Sequence, residues 1–259
     1  MEGKRLIKSV DRAASILEEL ARAEGPVGLK KLSTTLGLNA TTCFHLLATL
    51  AAHGLVVHDP STRKYRLGLK MLEFARPVLE GLELRSAARP FLVELMELTE
   101  ETANLVIFDQ GEAVYIDQVV SRRSSMFRMF TQIGTRAPLH CTGVGKVYLA
   151  FLPEQQAEAT LGEQTLERFT RNTITAFDSL RAELGRVRCN GFALDDEERE
   201  EGVRCVAAPI FGGPGLPVAA VSISGPASRL TDERIAAVVR HVVDIAERLS
   251  RSVQLIAGI

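Results

Sequence analysis

Apolar residues in the first fifty positions recur three and four apart. Val10, Ala13, Ala14, Ile16, Leu17, Leu20 and Ala21 predict a helix over 9–23, with Ser9 as N-cap and Gly25-Pro26 as the stop. Segment 29–36 reads as a second, short amphipathic helix ended by Gly37, and 40–53 as a third, capped by Asn39 and ended by Gly54. The connection 36–39 has the dimensions of a helix-turn-helix, and small Ser33 permits close helix approach. Two strand-like pieces, 55–57 and 65–67, flank a polar turn over 58–64 and complete a winged helix. With Leu46, Leu47 and Leu50 buried, Thr41, Thr42, Phe44 and His45 are left to meet the major groove, the threonines through phosphates or base edges and Phe44 through a thymine methyl. Arg63 and Lys64 place two cations on the wing, for phosphates or the minor groove. The DNA-facing set is thus Asn39, Thr41, Thr42, Phe44, His45, Arg63 and Lys64. Plainer roles stand beside these: threonines often start helices, and Cys43 or Phe44 can fill a core.

Beyond residue 67 the pattern changes twice. Residues 67–100, rich in Leu, Ala and Glu with Pro77 and Pro90 as breaks, predict a connector helix and the first helix of a second domain. Strands are expected over 102–109 and 112–120, joined at Gln110-Gly111, and again over 126–133. A helix over 139–152 is entered through His140-Cys141-Thr142-Gly143-Val144-Gly145-Lys146. In a phosphate-loop alignment the first glycine would fall on His140 and Val147 would replace the hydroxyl residue, which excludes a nucleotide site. Gly143 and Gly145 either free helix N-terminal N–H groups for a small carboxylate or let the helix pack closely on a sheet. A helix over 178–190 ended by Gly191, an acidic loop over 194–198, strands over 203–211 and 217–224 and a helix from Thr231 complete the chain. The last carries a buried stripe of Ile235, Val238, Val239, Val242, Ile245 and Leu249. Helices around antiparallel strands make an α+β sensor domain.

Candidate chemistry lies in this second part. Ser222 and Ser224 alternate onto one strand face, about 7 Å apart by strand rise, which suits a carboxylate or diol or else the wet face of an edge strand. Asp195 can accept from a ligand hydroxyl or stay solvated, and Cys205 can line a pocket or fill core. The sequence forces no cation into the site; Arg128, Arg136 and His140 are available partners for an acid.

Composition adds less. A chain of 259 residues, 46% hydrophobic and 24% charged, suits a soluble protein with a DNA-binding domain over 1–75, a helical linker over 76–88 and an effector domain over 89–259. Residues 1–75 hold 11 Lys/Arg against 7 Asp/Glu and the remainder 20 against 25, so a weakly basic head precedes an acidic body. That excess is small; the order of helix, turn, helix and wing carries the DNA reading. No run of about 18 apolar residues and no apolar leader point to the cytoplasm. Cys43, Cys141, Cys189 and Cys205 are scattered, so they are expected as small buried hydrophobes, with no structural metal and no cofactor. The absence of a GxSxG elbow, a ligand cluster or paired carboxylates argues against one alternative, an enzyme for small acids; a second, a dimerisation or signalling adaptor, is separated from a sensor by whether metabolites raise the melting temperature.

The stretches SVDRAASILEEL, TTCFHLLATLAAHGLV and KYRLGLKMLEFA resemble the DNA-binding domain of the isocitrate lyase regulator (IclR) family. EEREEGVRCVAAPIFG resembles the hallmark of that family's GAF-like effector domain, so the likeness spans nearly the whole chain. Two positions depart from it: His45 lies where the family usually carries Arg, and Ala40 where Lys or Arg is common. A neutral His forgoes most of a phosphate contact's electrostatic contribution, so the operator is not carried over. The resemblance implies an effector-responsive transcriptional regulator, a repressor, acting as a homodimer or homotetramer on a palindromic double-stranded operator. It further implies a small carboxylic acid bound at the backbone of Gly143 and Val144 and the side chains of Asp195, Cys205, Ser222 and Ser224, with Met126 and Met129 as apolar wall.

Overall fold

The computed structural model describes residues 6–80, 82–109, 111–124, 131–162 and 166–257. They fall into two units, Met1–Gly81 and Leu82–Ile259. The first contains α1 (Lys8–Arg22), β1 (Val27–Gly28), α2 (Leu29–Thr35), α3 (Ala40–Ala52), β2 (Val56–Asp59), β3 (Lys64–Leu67) and α4 (Lys70–Glu80). Its core joins Ile16 and Leu20 of α1, Leu32 of α2, Cys43, Leu47 and Leu50 of α3, and Val56 and Tyr65 of the wing. Leu46, expected inside with Leu47 and Leu50, is only partly buried, and Cys43 takes the inner place.

Ser9 does not cap α1. The cap lies two residues earlier, at Ile7, whose carbonyl accepts from Val10 N–H and Asp11 N–H, both at 3.0 Å, which puts Ser9 within the first turn. The ends of α2 and α3 follow the sequence closely. Gly37 (φ 61°) and Gly54 (φ 71°) take the left-handed conformation that lets the next amide reach back: Leu38 N–H to Ser33 O at 2.8 Å and Leu55 N–H to Leu50 O at 3.0 Å. β3 pairs antiparallel with both β1 and β2, so the wing is the three-stranded sheet β1-β3-β2.

The prolines do not break the helices as expected. Pro77 lies inside α4 and Pro90 inside α5 (Glu83–Thr99). Glu73 and Ser86, whose carbonyls each proline deprives of a partner, are exposed, so water can replace the missing hydrogen bond.

The second unit is a six-stranded antiparallel sheet in the order β6-β5-β4-β9-β8-β7: β4 (Thr102–Asp109), β5 (Glu112–Val119), β6 (Arg136–Ala137), β7 (Ala193–Asp196), β8 (Val203–Ile210) and β9 (Ala219–Pro226). One apolar layer joins Leu92 and Leu95 of α5, Leu105, Val206 and Ile223 of the sheet, and Val242, Ile245 and Leu249 of α9 (Asp232–Ala257). A second layer joins Val106 and Ala207 of the sheet to Val144 and Val147 of α6 (Gly143–Phe151) and to Leu180 and Leu184 of α8 (Phe177–Asn190). The sheet is therefore covered on both faces, an α+β sandwich.

Several expectations shift in this unit. The helix predicted over 139–152 starts at Gly143, because the Thr142 hydroxyl caps it by accepting from Gly145 N–H at 3.1 Å. The acidic loop begins as strand β7, with Asp195 paired to Cys205 of β8. α7 (Glu154–Leu161) was not foreseen, since its sequence EQQAEATL carries few apolar positions. Of the strand expected over 126–133, residues 126–130 lie outside the described residues and 131–133 are not extended into a ladder. Cys43, Cys141 and Cys205 are buried, whereas Cys189 is exposed near the end of α8. No single helix among the described residues is long and apolar enough to cross a membrane.

Candidate functional site

In the first unit, α3 presents Thr41, Phe44 and His45 outward, Phe44 being 49% exposed, while Thr42 is half-buried. The Phe44 and His45 rings meet edge to face at 5.7 Å. Asn39 is spent as a cap, its Oδ1 accepting from Thr41 N–H at 2.8 Å, so it orders the start of α3. The wing tip is built by Asp59. Its carboxylate accepts from Ser61 N–H at 2.8 Å, Ser61 Oγ at 2.6 Å and Thr62 Oγ1 at 2.8 Å, and these bonds, the side-chain ones foremost, hold the carboxyl down at about 2. The turn then drives Arg63 to φ 55°, an uncommon conformation for a residue with a Cβ, and leaves Arg63 and Lys64 exposed side by side.

In the second unit a cavity of about 20 Å³ lies among Tyr115, Thr131, Thr142, Asp195, Arg199 and Ser224, with Glu200, Val203 and Cys205 completing the wall. That is room for about one water molecule, so a larger guest requires the wall to open. Of the positions singled out in the sequence, Asp195, Cys205 and Ser224 meet here. Ser222 is fully buried beside them, and β9, bonded on both sides, is no edge strand. Asn104 Nδ2 donates to Ser222 Oγ and Ser224 Oγ, each at 3.3 Å, and Gln118 Nε2 donates to Asn104 Oδ1 at 2.9 Å and to Thr131 Oγ1 at 3.2 Å. The serines are thus one end of a buried polar network that reaches β5. Met126 and Met129 lie outside the described residues, as does Arg128. Arg136 ion-pairs with Glu112 on the exposed edge, and His140 Nε2 is bonded to Glu167 O at 2.9 Å, so neither lines the cavity.

Close packing accounts for both glycines of α6. A Cβ on Gly145 would come within 2.4 Å of Leu139 Cα and 2.5 Å of its carbonyl oxygen, and one on Gly143 would sit 3.2 Å from Ala207 Cβ and 3.4 Å from Cys205 Sγ. The Gly145 N–H is taken by Thr142. Gly145→Ala is therefore expected to cost about 1 to 3 kcal/mol in urea unfolding; an unchanged midpoint would show that residues 139–142 move aside freely. Val144 faces the apolar layer.

Burial dominates the electrostatics. It raises the Asp195 carboxyl to about 7, against the pull of Glu198 N–H and of Lys146. It pushes the Cys141 and Cys205 thiols up to about 12, where a thiolate nucleophile is absent at neutral pH. Asp195 Oδ1 accepts from Glu198 N–H at 2.8 Å and Arg199 N–H at 3.4 Å, which fixes the turn after β7. Lys146, the lysine of the Gly-x-Gly-Lys stretch, is 1% exposed; its amine donates to Leu194 O and, at 2.5 Å, to Glu198 Oε1. It holds α6 to β7 and is unavailable to a phosphate.

Tyr115, Thr142, Arg199, Asn104 and Gln118 are site residues that the sequence pattern does not single out. Thr142 directly before Gly-Val-Gly was a legible cap, and Asn104 and Gln118 were polar interruptions of two apolar strands. Arg199 was hidden in an acidic run.

A helix-turn-helix with a cationic wing in one unit, and a polar cavity inside an α+β sandwich in the other, define a DNA-binding regulator with a sensor domain. The family model described as the IclR helix-turn-helix domain matches residues 9–60, and that described as the bacterial transcriptional regulator IclR C-terminal domain matches 76–251. The chain belongs to the IclR family and is an effector-responsive DNA-binding transcriptional regulator. It is 36% identical to the HTH-type transcriptional regulator XynR of Escherichia coli K12 over 231 residues, 89% of this chain and 91% of that one. With the transcriptional repressor IclR of the same organism it shares 34% identity over 246 residues, 94% and 89% of the two chains. The crystal structure of Thermotoga maritima IclR superposes with a TM-score of 0.73 at 33% identity, covering 95% of this chain and 99% of that one.

Proposed function

We propose that this regulator is a cytoplasmic repressor which binds a palindromic operator as a homodimer or homotetramer, and whose grip on DNA changes when a small carboxylic acid occupies the cavity of the effector unit. The observation that carries the reading is the cavity wall, where hydroxyls, a buried carboxyl and a guanidinium converge between the sheet and Thr142, the cap of α6. Such a wall recognises a small polar guest by several short bonds. Among the described residues of this wall no activated nucleophile is found, and both nearby thiols are held protonated, which favours sensing over turnover.

One winged helix contacts too few base pairs to specify a site, so a symmetric pair is needed. Exposed Leu72, Phe74 and Val78 on α4 and Ile7 and Val10 at α1 supply apolar surface that suits a second copy. Thr41, Thr42, Phe44 and His45 would face base edges and phosphates, and Arg63 and Lys64 the flanking backbone. The acid acts by preferring one arrangement of the pair over another.

A mobility shift on DNA upstream of the protein's own reading frame tests this, with light scattering for the oligomer. Binding is expected to weaken steeply with salt, and Arg63→Ala with Lys64→Ala to flatten the log–log salt slope by about 0.9 for each phosphate the wing no longer neutralises. Failure to bind any such fragment at low salt would count against the reading; an unchanged slope in the double variant would move the wing off the DNA.

A further inference from the structure

We propose that Arg199 is the residue by which the cavity selects an anion, its guanidinium pairing with the carboxylate of the effector. This rests on the reading of the cavity as an acid-sensing site. The wall otherwise carries the acidic side chains of Asp195 and Glu200. An anion entering among them is repelled by Asp195 once that carboxyl ionises, and by Glu200, so selection of an acid requires a compensating positive charge.

Among the described residues Arg199 is the one cation on that wall. Lys146 is committed to Glu198 and the Leu194 carbonyl, and Arg136 to Glu112. The charge of Arg199 is felt inside: it opposes the rise of the Tyr115 hydroxyl and of the Cys141 thiol, two groups fully enclosed beside the cavity.

The guanidinium is also held in place before any guest arrives. Its central carbon lies 4.1 Å from the centroid of the Phe169 ring, which in turn stacks on His140 at 5.9 Å. The strap that carries Phe169 is laced to the turn that carries Arg199: Thr170 Oγ1 donates to Glu197 O at 2.6 Å, Thr173 Oγ1 to Glu198 O at 2.7 Å, and Asn172 Nδ2 to Asp196 O at 3.0 Å. A guanidinium held over an aromatic face is restrained before binding and loses less rotamer freedom on pairing with a carboxylate. Glu197 and Glu198 are thus scaffold, through their carbonyls, and Arg199 is the working member of the acidic run.

The test uses the full chain and a panel of short keto, hydroxy and sugar acids, each beside its uncharged primary amide, read by thermal shift and calorimetry. Wild type is expected to prefer at least one acid over its amide. Arg199→Gln is expected to weaken that acid about 10- to 100-fold while leaving the amide within about threefold, so retained amide binding reports an intact fold. Arg199→Lys restores part of the preference, because charge is kept and the stacked planar fork is lost. Acid binding that survives Arg199→Gln overturns this proposal and leaves the acid-sensing reading standing. A panel in which no acid binds wild type overturns that reading and this proposal with it.

Discussion

Lys146→Met is expected to destabilise the effector unit by about 3 to 5 kcal/mol, the usual consequence of removing one partner from a buried ion pair. The methionine matches the volume of the lysine stem, so the loss is electrostatic rather than a cavity. Glu198 is the exposed nerve: its side chain is 7% exposed, its Oε1 accepts from Lys146 at 2.5 Å, and its Oε2 is buried without a hydrogen bond. Without the amine the carboxylate loses its ion-pair partner while Glu183 stays nearby, and the Leu194 carbonyl loses its donor. For a unit of this size the thermal midpoint should fall on the order of 10 °C. Adding Glu198→Gln should recover much of the loss, since neither charge then remains. A single-variant loss below about 1 kcal/mol in urea unfolding would show that water reaches the pair. The position of the pair explains its worth: it ties α6, which is capped by the cavity-lining Thr142, to β7, which carries Asp195, and to the turn that leads to Arg199.

How far the sequence spoke depends on whether a local rule decided the matter. Gly37 and Gly54 were readable because a positive φ leaves a mark on composition, and the inner stripes of α1 and α9 because burial repeats with the helical period. The start of α6 was misplaced by four residues because the small and apolar residues of 139–142 continue the helical pattern; only the Thr142 cap stops it. β7 read as a loop because Asp195 and Asp196 disfavour strands. Pairing to β8, and backbone N–H groups that accommodate the buried Asp195 carboxyl, override that tendency. The cavity was legible only in part, for a deeper reason. Asn104 meets Ser222 through the β4–β9 register and Gln118 meets Asn104 through β4–β5, pairings across more than a hundred and across fourteen positions, which no local spacing encodes. Arg199 is placed by Phe169, thirty positions away on a strap without regular structure.

Asp195→Asn is expected to make the protein more stable at pH 8, by up to roughly 4 kcal/mol, and to remove the pH dependence of its affinity for an acid. The carboxyl titrates near 7 in the folded chain against an ordinary 3.8, chiefly through burial, with Glu198 adding to the rise and Lys146 and two backbone N–H groups opposing it. The folded state therefore binds this proton more tightly than the unfolded one. Its destabilising effect is absent below about pH 4, grows as pH rises between about 4 and 7, and is complete above about 7. Asparagine keeps an Oδ1 to accept from Glu198 N–H and Arg199 N–H, so the turn survives and only the charge is lost. The stability difference between the two proteins, from urea unfolding between pH 4 and 8, should rise with pH; a difference flat with pH would exclude Asp195 as the titrating group. An anion beside Arg199 raises this carboxyl further, so binding takes up a proton and the wild-type affinity for an acid falls by up to about tenfold per pH unit above 7. In Asp195→Asn that fall disappears, and the same acid then binds with an affinity that no longer tracks pH.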